Sequence, residues 1–244
     1  MNSILDKNKS MGKLNGRLAE NENELNFIVE DILEKLNIVP GMSFLDIGCG
    51  SGDLTLLLIS RLQKLDCDIT LLDFPKVIEE LEENMNREGM SFNKVNFIKS
   101  TFPVSDSTFT TKKYSRILAY SVIHYSEIPE SFIEQAVFLL NEQNCSLLIG
   151  DVPNVNYNGR FLCSEFGKKF ESNYKNIDLS ELPVFRDHKD YAEKTNNQNK
   201  LICDDLIVKT FAMYRSKGYD VFVINQKKSL PFSFSREDLL IKKY

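Results

Sequence analysis

The segment Leu45-Asp46-Ile47-Gly48-Cys49-Gly50-Ser51-Gly52 ends an apolar run in an acid and then sets a glycine at every second position. Glycine lets the backbone turn sharply and lets a ligand come close to the main chain. In open α/β sheets such a ligand sits outside the carboxyl ends of the strands. The spacing decides between ligands. A dinucleotide fingerprint, G-x-G-x-x-G, needs glycine where this chain has Asp53, and a P-loop needs G-K-[ST], which is absent. Both pyrophosphate-binding readings therefore lose. A second apolar run ends in Leu71-Leu72-Asp73-Phe74, 21 residues after Gly52, the distance of one helix plus one strand. A carboxylate there is placed to accept hydrogen bonds from both hydroxyls of a ribose, and Phe74 to lie against a purine.

These residues must be held by alternating strands and helices. Residues 21–37 put Leu25, Ile28, Val29, Ile32, Leu33 and Leu36 on one helical face, and Pro40-Gly41 ends the pattern. Strands are expected at Ser43–Ile47, Asp68–Leu72, Val95–Lys99, Arg116–Ser121 and Cys145–Gly150. Between them helices are expected at Asp53–Lys64, from about Pro75 to Glu88 and from about Pro129 to Leu140. Such alternation indicates βαβ units and a mainly parallel sheet. After Asp151 it lapses for about fifty residues, too long for bare loop. Within that stretch SEFGKKFESNYK reads as a helix. A helix at Asp204–Ser216 and strands at Tyr219–Asn225 and Asp238–Lys243 close the chain.

Composition excludes several classes. The 244 residues carry 30 Lys+Arg against 35 Asp+Glu, a net charge of −5, which argues against a broad nucleic-acid or anionic-membrane footprint. No apolar run approaches the roughly 18–20 residues of a membrane span, and MNSILDKNKS lacks a signal-peptide core. Five cysteines, without a C-x-x-C pair or nearby histidines, argue against a disulfide framework or a zinc site and fit a reducing cytoplasm. The whole reads as one domain, with residues 1–40 as a helical N-terminal segment and 151–203 as an inserted, acceptor-binding lid.

FLDIGCGSGDLT followed by LLDF resembles motifs I and II of class I S-adenosylmethionine-dependent methyltransferases. The resemblance covers about 150 residues of core. It implies a Rossmann-like, seven-stranded, mostly parallel sheet whose last strand is antiparallel, and S-adenosylmethionine (SAM) as cofactor, with S-adenosylhomocysteine (SAH) as product. It further implies that Gly48, Gly50 and Gly52 lie beside the methionine part, that Asp46 orients the amino group through its surroundings, and that Asp73 binds the ribose. Two departures stand out. Where the family often has an acid after the third strand to hold the adenine amino group, this chain has Lys99-Ser100-Thr101-Phe102, leaving Thr101 and the Phe102 backbone as substitutes. Where the family often has Tyr-Asp before the fourth strand, it has Tyr114-Ser115.

The acceptor side begins at Ala119-Tyr120-Ser121-Val122-Ile123-His124-Tyr125, which resembles the family's methyl-facing segment after the fourth strand. Methyl transfer needs an aligned nucleophile and, for a hydroxyl, a base. His124 is the leading base, since imidazole titrates near working pH; the alternative is that it bonds the cofactor or caps the next helix. Tyr120 and Tyr125 read equally as pocket walls or as catalytic groups, and the resemblance puts Tyr120 among the cofactor-binding residues. Asp151, read as ending the fifth strand, either orients or deprotonates an acceptor or caps the strand. The insertion carries Arg160, Lys168, Lys169, Arg186, His188 and Lys189 among tyrosines, either a clamp for a phosphorylated acceptor or a solvated surface. Arg17, in Leu14-Asn15-Gly16-Arg17, is placed by resemblance over the cofactor carboxylate.

The favoured activity is therefore methyl transfer to a small molecule, most readily at oxygen. The Gly-Asp-Val-Pro-Asn run at 150–154 is similar to methyltransferases of bacterial surface-polysaccharide genes, whose acceptors are sugars or phosphorylated, nucleotide-activated precursors. The competing readings are an RNA or protein methyltransferase and a non-catalytic cofactor-binding subunit. The chain lacks the Asp/Asn-Pro-Pro-Tyr/Phe signature of DNA and protein amide methyltransferases.

Overall fold

Two apolar layers, one on each side of a single sheet, fix the architecture. A computed structural model describes residues 22–104, 112–194, 201–228, 230 and 233–244. The chain runs α1 (Glu22–Leu36), β1 (Ser43–Ile47), α2 (Asp53–Lys64), β2 (Asp68–Asp73), α3 (Pro75–Arg87), β3 (Val95–Lys99) and β4 (Arg116–Tyr120). It continues through α4 (Pro129–Phe138), β5 (Cys145–Val152), α5 (Val155–Leu162), α6 (Glu165–Lys175), α7 (His188–Lys194), α8 (Asp204–Ser216), β6 (Asp220–Asn225) and β7 (Glu237–Lys243). The strand order is β3-β2-β1-β4-β5-β7-β6, parallel except for β7, which runs antiparallel to both neighbours. The expected seven-stranded Rossmann-like sheet is thus the one observed.

Strand side chains alternate between the faces, so each strand feeds both layers. Leu45, Ile117, Leu147 and Ile241 pack with Phe132 and Ala136 of α4 and Leu206 and Tyr214 of α8. Phe44, Leu71, Leu118 and Leu148 pack with Ile28 and Ile32 of α1, Leu58 of α2 and Leu81 of α3. β1 lies at the centre, with β2 and β4 on either side. The chain moves outward from β1 to β3 and then restarts at β4, so the order reverses between β1 and β4. That reversal opens the crevice in which doubly wound sheets bind ligands.

Two expectations change. β5 does not stop at Gly150: it runs to Val152 through a register shift between Ile149 and Val152. Asp151 therefore lies inside the strand, at φ +56, rather than ending it. The stretch after it contains three helices where the pattern showed one. α5 (VNYNGRFL) is rich in weak helix formers. It is started by the Asn154 side chain, which accepts from the backbone of Asn156 and Tyr157. Gly159 lets α7 approach, since a Cβ there would stand 3.0 Å from the His188 carbonyl oxygen. Among the described residues no helix is long and apolar enough to cross a membrane.

A buried polar chain ties α1 to the sheet. Lys35 Nζ bonds Asp31 and reaches Asp238 Oδ2 at 2.7 Å, where Asp238 is almost wholly buried. Asp238 Oδ1 in turn accepts the backbone N–H of Asp151 at 2.8 Å. Removing one partner of a buried pair leaves an uncompensated charge and costs about 3–5 kcal/mol, whereas removing both is often near neutral. Lys35→Met should lower unfolding free energy by roughly that amount, and Lys35→Met/Asp238→Asn should recover most of it in denaturant titrations. Additive losses in the double variant would contradict the pairing.

Candidate active site

The glycine turn leaves the end of β1 and is held from four directions. The N–H groups of Gly48 and Cys49 donate to the Leu72 carbonyl at 2.8 and 3.2 Å. Gly50 N–H donates to Asp73 Oδ2 at 2.8 Å. The Thr55 hydroxyl donates to the Cys49 carbonyl, and the buried Asn84 amide donates to the Ser51 carbonyl at 2.9 Å. Gly48 and Gly50 adopt φ of +70 and +69, where only glycine sits without strain. A Cβ on Gly48 would fall 2.3 Å from Val122 Cγ2. The turn therefore touches the segment after β4 directly. Gly52 differs from the other two: at φ −87 it opens α2 in an ordinary extended conformation.

Two carboxylates flank this turn. Asp46 is 4% exposed on the central strand, paired in register with Leu71 of β2 and Leu118 of β4. Burial, and then the charge of Asp73, raise its pKa to about 8. Asp73 ends β2; its Oδ1 accepts Phe74 N–H at 2.7 Å, so each oxygen takes one backbone bond and retains a lone pair for a ligand. Burial raises its pKa, and the two backbone bonds oppose that rise. Phe74, 57% exposed, stands beside it at the start of α3. Ser100 N–H donates to the Asp73 carbonyl at 2.9 Å, which brings exposed Thr101 to the same edge. The Phe102 ring turns inward, edge-on to Phe132 at 4.8 Å, leaving its backbone for any contact at the surface.

Across the crevice β4 ends in Tyr120, whose ring lies over Gly150: a Cβ there would come within 2.4 Å of it. Ser121 follows at φ +57, then a short 3-10 turn, Ile123–Tyr125, presents His124. His124 Nδ1 is buried with no hydrogen-bond partner among the described residues, and the Tyr125 ring lies 4.2 Å away. The expectation of an imidazole titrating near working pH is corrected. Burial, then the Arg236 charge, push His124 down to about 4, against a smaller opposing pull from Asp151.

Asp151 is held at several points. Besides the Asp238 bond, its Oδ1 accepts from Gln226 Nε2 at 3.2 Å, and Arg236 Nη1 lies 3.3 Å from its carbonyl oxygen and 3.9 Å from Oδ2. Sequence reading missed Arg236, Gln226 and Asp238. The available signal was Arg236-Glu237-Asp238 just before an apolar strand. Because β7 is antiparallel, its start shares an edge with the ends of the parallel strands.

Several basic residues of the insertion are engaged by acids of the same stretch or of α8. Arg160 pairs with Asp204, Arg186 and Lys194 with Asp190, and Lys168 stands 3.9 Å from Glu165. What faces the β6–β7 turn is aromatic: Phe161 stacks on Phe234 at 5.9 Å and Phe166 meets it edge-on at 5.0 Å. Lys169, His188 and Lys189 lie on the same three-helix stretch, with Lys169 and Lys189 exposed. Arg17 falls outside the described residues.

Residues 38–214 match the sequence model of a family described as a methyltransferase domain. No curated protein sequence matches the chain. Several solved structures share the fold. The plantazolicin methyltransferase BpumL in complex with SAH has a TM-score of 0.55 at 16% identity, over 93% of this chain and 87% of that one. The methyltransferase domain of bacterial CtHen1-C has 0.53 at 19% identity, over 91% and 99%. A putative caffeoyl-CoA O-methyltransferase from Staphylococcus aureus has 0.53 at 14% identity, over 95% and 88%.

The Asp46 environment has a consequence for stability. Its folded pKa of about 8 lies above the roughly 3.9 of an unfolded aspartate, so the native state binds the extra proton between those values. Stability from this group therefore falls as pH rises through that window. Asp46→Asn should flatten the fall, and its advantage in thermal midpoint over wild type should grow from pH 5 to pH 8. An advantage that shrinks with pH would refute the buried-acid description.

Proposed function

The chain belongs to a methyltransferase-domain family, and on that premise we propose that it moves a methyl group from SAM to a hydroxyl oxygen of a small-molecule acceptor. The observation that carries the cofactor reading is Asp46, a carboxylate buried without a counter-ion of its own among the described residues and held beside a second acid. Such a site favours a cation, and SAM brings both an ammonium and a sulfonium. The chain fits the rest of the molecule too. Asp73 keeps an acceptor lone pair on each oxygen for the ribose, Phe74 offers an open ring face for the purine, and a Cβ on Gly50 would meet, among the described residues beyond its chain neighbours, nothing closer than Thr55 Oγ1 at 3.9 Å. Thr101 and the Phe102 backbone complete the adenine side.

When bound, SAM supplies an electrophilic methyl group. The remaining work falls to the chain. The glycine turn fixes the donor against β4, and Gly48 packs on Val122, two residues before His124. Such alignment is worth up to about 7–11 kcal/mol of barrier in favourable cases. His124, neutral at physiological pH, accepts the acceptor's O–H hydrogen in this reading. An alcohol becomes far more acidic as its oxygen acquires a methyl group, so a base with pKa about 4 suffices to take the proton as the new bond forms. Asp151 holds Arg236 on the same side, and Tyr120 forms the floor.

Residues 151–203 form the acceptor-binding lid in this reading. The attachment of Phe161 and Phe166 to Phe234 supports it. Within that class, a sugar or a phosphorylated, nucleotide-activated precursor of a surface polysaccharide rests on the resemblance of residues 150–154, and the paired arginines and lysines of the insertion add nothing to it. The five free thiols suit a reducing cytoplasm.

Calorimetric titration with SAM and SAH tests the cofactor. Both should bind, and Asp73→Ala should weaken SAM by tenfold or more, about 1.4 kcal/mol. Absence of binding, or an unaltered Asp73→Ala variant, would refute it. A radiolabelled-methyl assay against hydroxyl, amine, peptide and RNA acceptors then separates the classes. Labelling of a hydroxyl compound, abolished in His124→Ala, is the expected outcome; labelled RNA or peptide alone would overturn the acceptor assignment. Binding without any turnover would point to a non-catalytic subunit.

A further inference from the structure

We propose that Gln135 of α4 is a positioning residue for the adenine base: its side-chain amide grips both backbone groups of Val104 and so sets the main chain of the loop after β3 against the purine. The inference rests on the cofactor reading above and goes beyond it by naming what fixes the adenine side, where no acid follows β3. That loop is secured at both ends. At the near end Ser100 N–H donates to the Asp73 carbonyl at 2.9 Å. At the far end Val104 N–H donates to Gln135 Oε1 at 2.6 Å, and Gln135 Nε2 donates to the Val104 carbonyl at 2.9 Å. This reciprocal pair fixes the orientation of the Val104 backbone. The Val104 side chain, buried in the same layer as Phe132 and Ala136, fixes only its depth.

Between the two ends lie Thr101, Phe102 and Pro103. Phe102 commits its ring to Phe132, edge-on at 4.8 Å. Phe132 and Gln135 are three residues apart and share one face of α4, so a single helix face holds the loop twice. Among the described residues, the N–H and carbonyl groups of Thr101 and Phe102 make no backbone hydrogen bond. The strand-end cation is directed elsewhere, since Lys99 Nζ pairs with Glu82 of α3 at 2.8 Å. What remains to read a base here is a main-chain donor beside a main-chain acceptor, with the exposed Thr101 hydroxyl next to them. Adenine offers the matching set along its Watson–Crick edge, where N1 accepts and the 6-amino group donates. Hypoxanthine inverts it, with a donor at N1 and an acceptor at position 6. A backbone edge held in place rejects the inverted pattern, because its own groups are then left without partners. A loop that is free to shift pairs with either base.

Calorimetry with SAH and with its hypoxanthine counterpart measures this without any methyl acceptor. The wild-type protein should prefer SAH by about tenfold or more. Gln135→Met keeps the length of the side chain but breaks both amide bonds, and the preference should fall to about twofold or less. A loss of stability alone would weaken both compounds in proportion and leave their ratio intact. An unchanged ratio in Gln135→Met therefore overturns the proposal, as does a wild-type ratio near one. Gln135→Glu gives a second measurement should Gln135→Met not fold. Its ionised carboxylate accepts from the Val104 N–H but meets the Val104 carbonyl with no hydrogen to donate. The preference should be lost at pH 8 and partly recovered at about pH 5, as the carboxyl gains a proton, while the wild-type ratio stays constant. A pH-independent ratio in Gln135→Glu overturns the proposal. If neither compound binds the wild-type protein, the cofactor reading falls and the proposal with it; binding with an unaltered ratio in the variants removes the role of Gln135 alone.

Discussion

A carboxylate on the central strand of a sheet, sealed from water, is an unfavourable thing to build, and the site is organised around it. The parallel ladder fixes Asp46 opposite Leu71 and Leu118, so it cannot withdraw to solvent without breaking pairing on both sides. Burial and Asp73 together make its ionised form costly. The glycine turn, the Leu72 carbonyl and the two Asp73 bonds leave the crevice open directly beyond it. A positively charged donor bound there, as proposed, would relieve that constraint, and the same crevice is where the strand order reverses. Fold and chemistry thus meet at one residue.

The edge proposed for the acceptor is built on different physics. There the backbone is bent into left-handed conformations at Ser121, just past β4, and at Asp151, inside the neighbouring β5. Non-glycine residues hold such φ values only when their surroundings over-determine them. At Asp151 those surroundings are Asp238, Gln226 and Arg236, all supplied by the last sixth of the chain, with Lys35 of α1 neutralising Asp238. The antiparallel placement of β7 brings this set to the functional edge; a parallel strand would start at the opposite end. The first helix and the last strand therefore shape a site whose recognisable motifs lie between them.

Much of this was legible in the amino-acid order. The apolar alternation of Ser43–Ile47 and Val95–Lys99 and the helical stripe of Asp53–Lys64 appear with the expected bounds, because each is decided by local periodicity. The spacing of Asp46, Gly48, Gly50 and Asp73 likewise sufficed to locate the crevice, since one βαβ unit fixes their separation. What local pattern could not supply was long-range. The bulge that carries Asp151 inside β5 depends on β7, nearly ninety residues later, and the shift of His124 depends on burial and on Arg236. α5 escaped notice because its own residues favour it weakly, and packing through Gly159 against α7 stabilises it. The pairing of Arg160 with Asp204 and of Arg186 with Asp190 was equally out of reach of local pattern.

In the proposed site, Asp46 exchanges its proton for a cationic cofactor. Calorimetry of SAM binding at pH 7, in two buffers of different ionisation enthalpy, measures that exchange directly. With Asp46 near 8 in the free protein, binding should release about one proton per cofactor, and the release should vanish in Asp46→Asn. Heats of binding that are the same in both buffers for the wild-type protein would contradict the account.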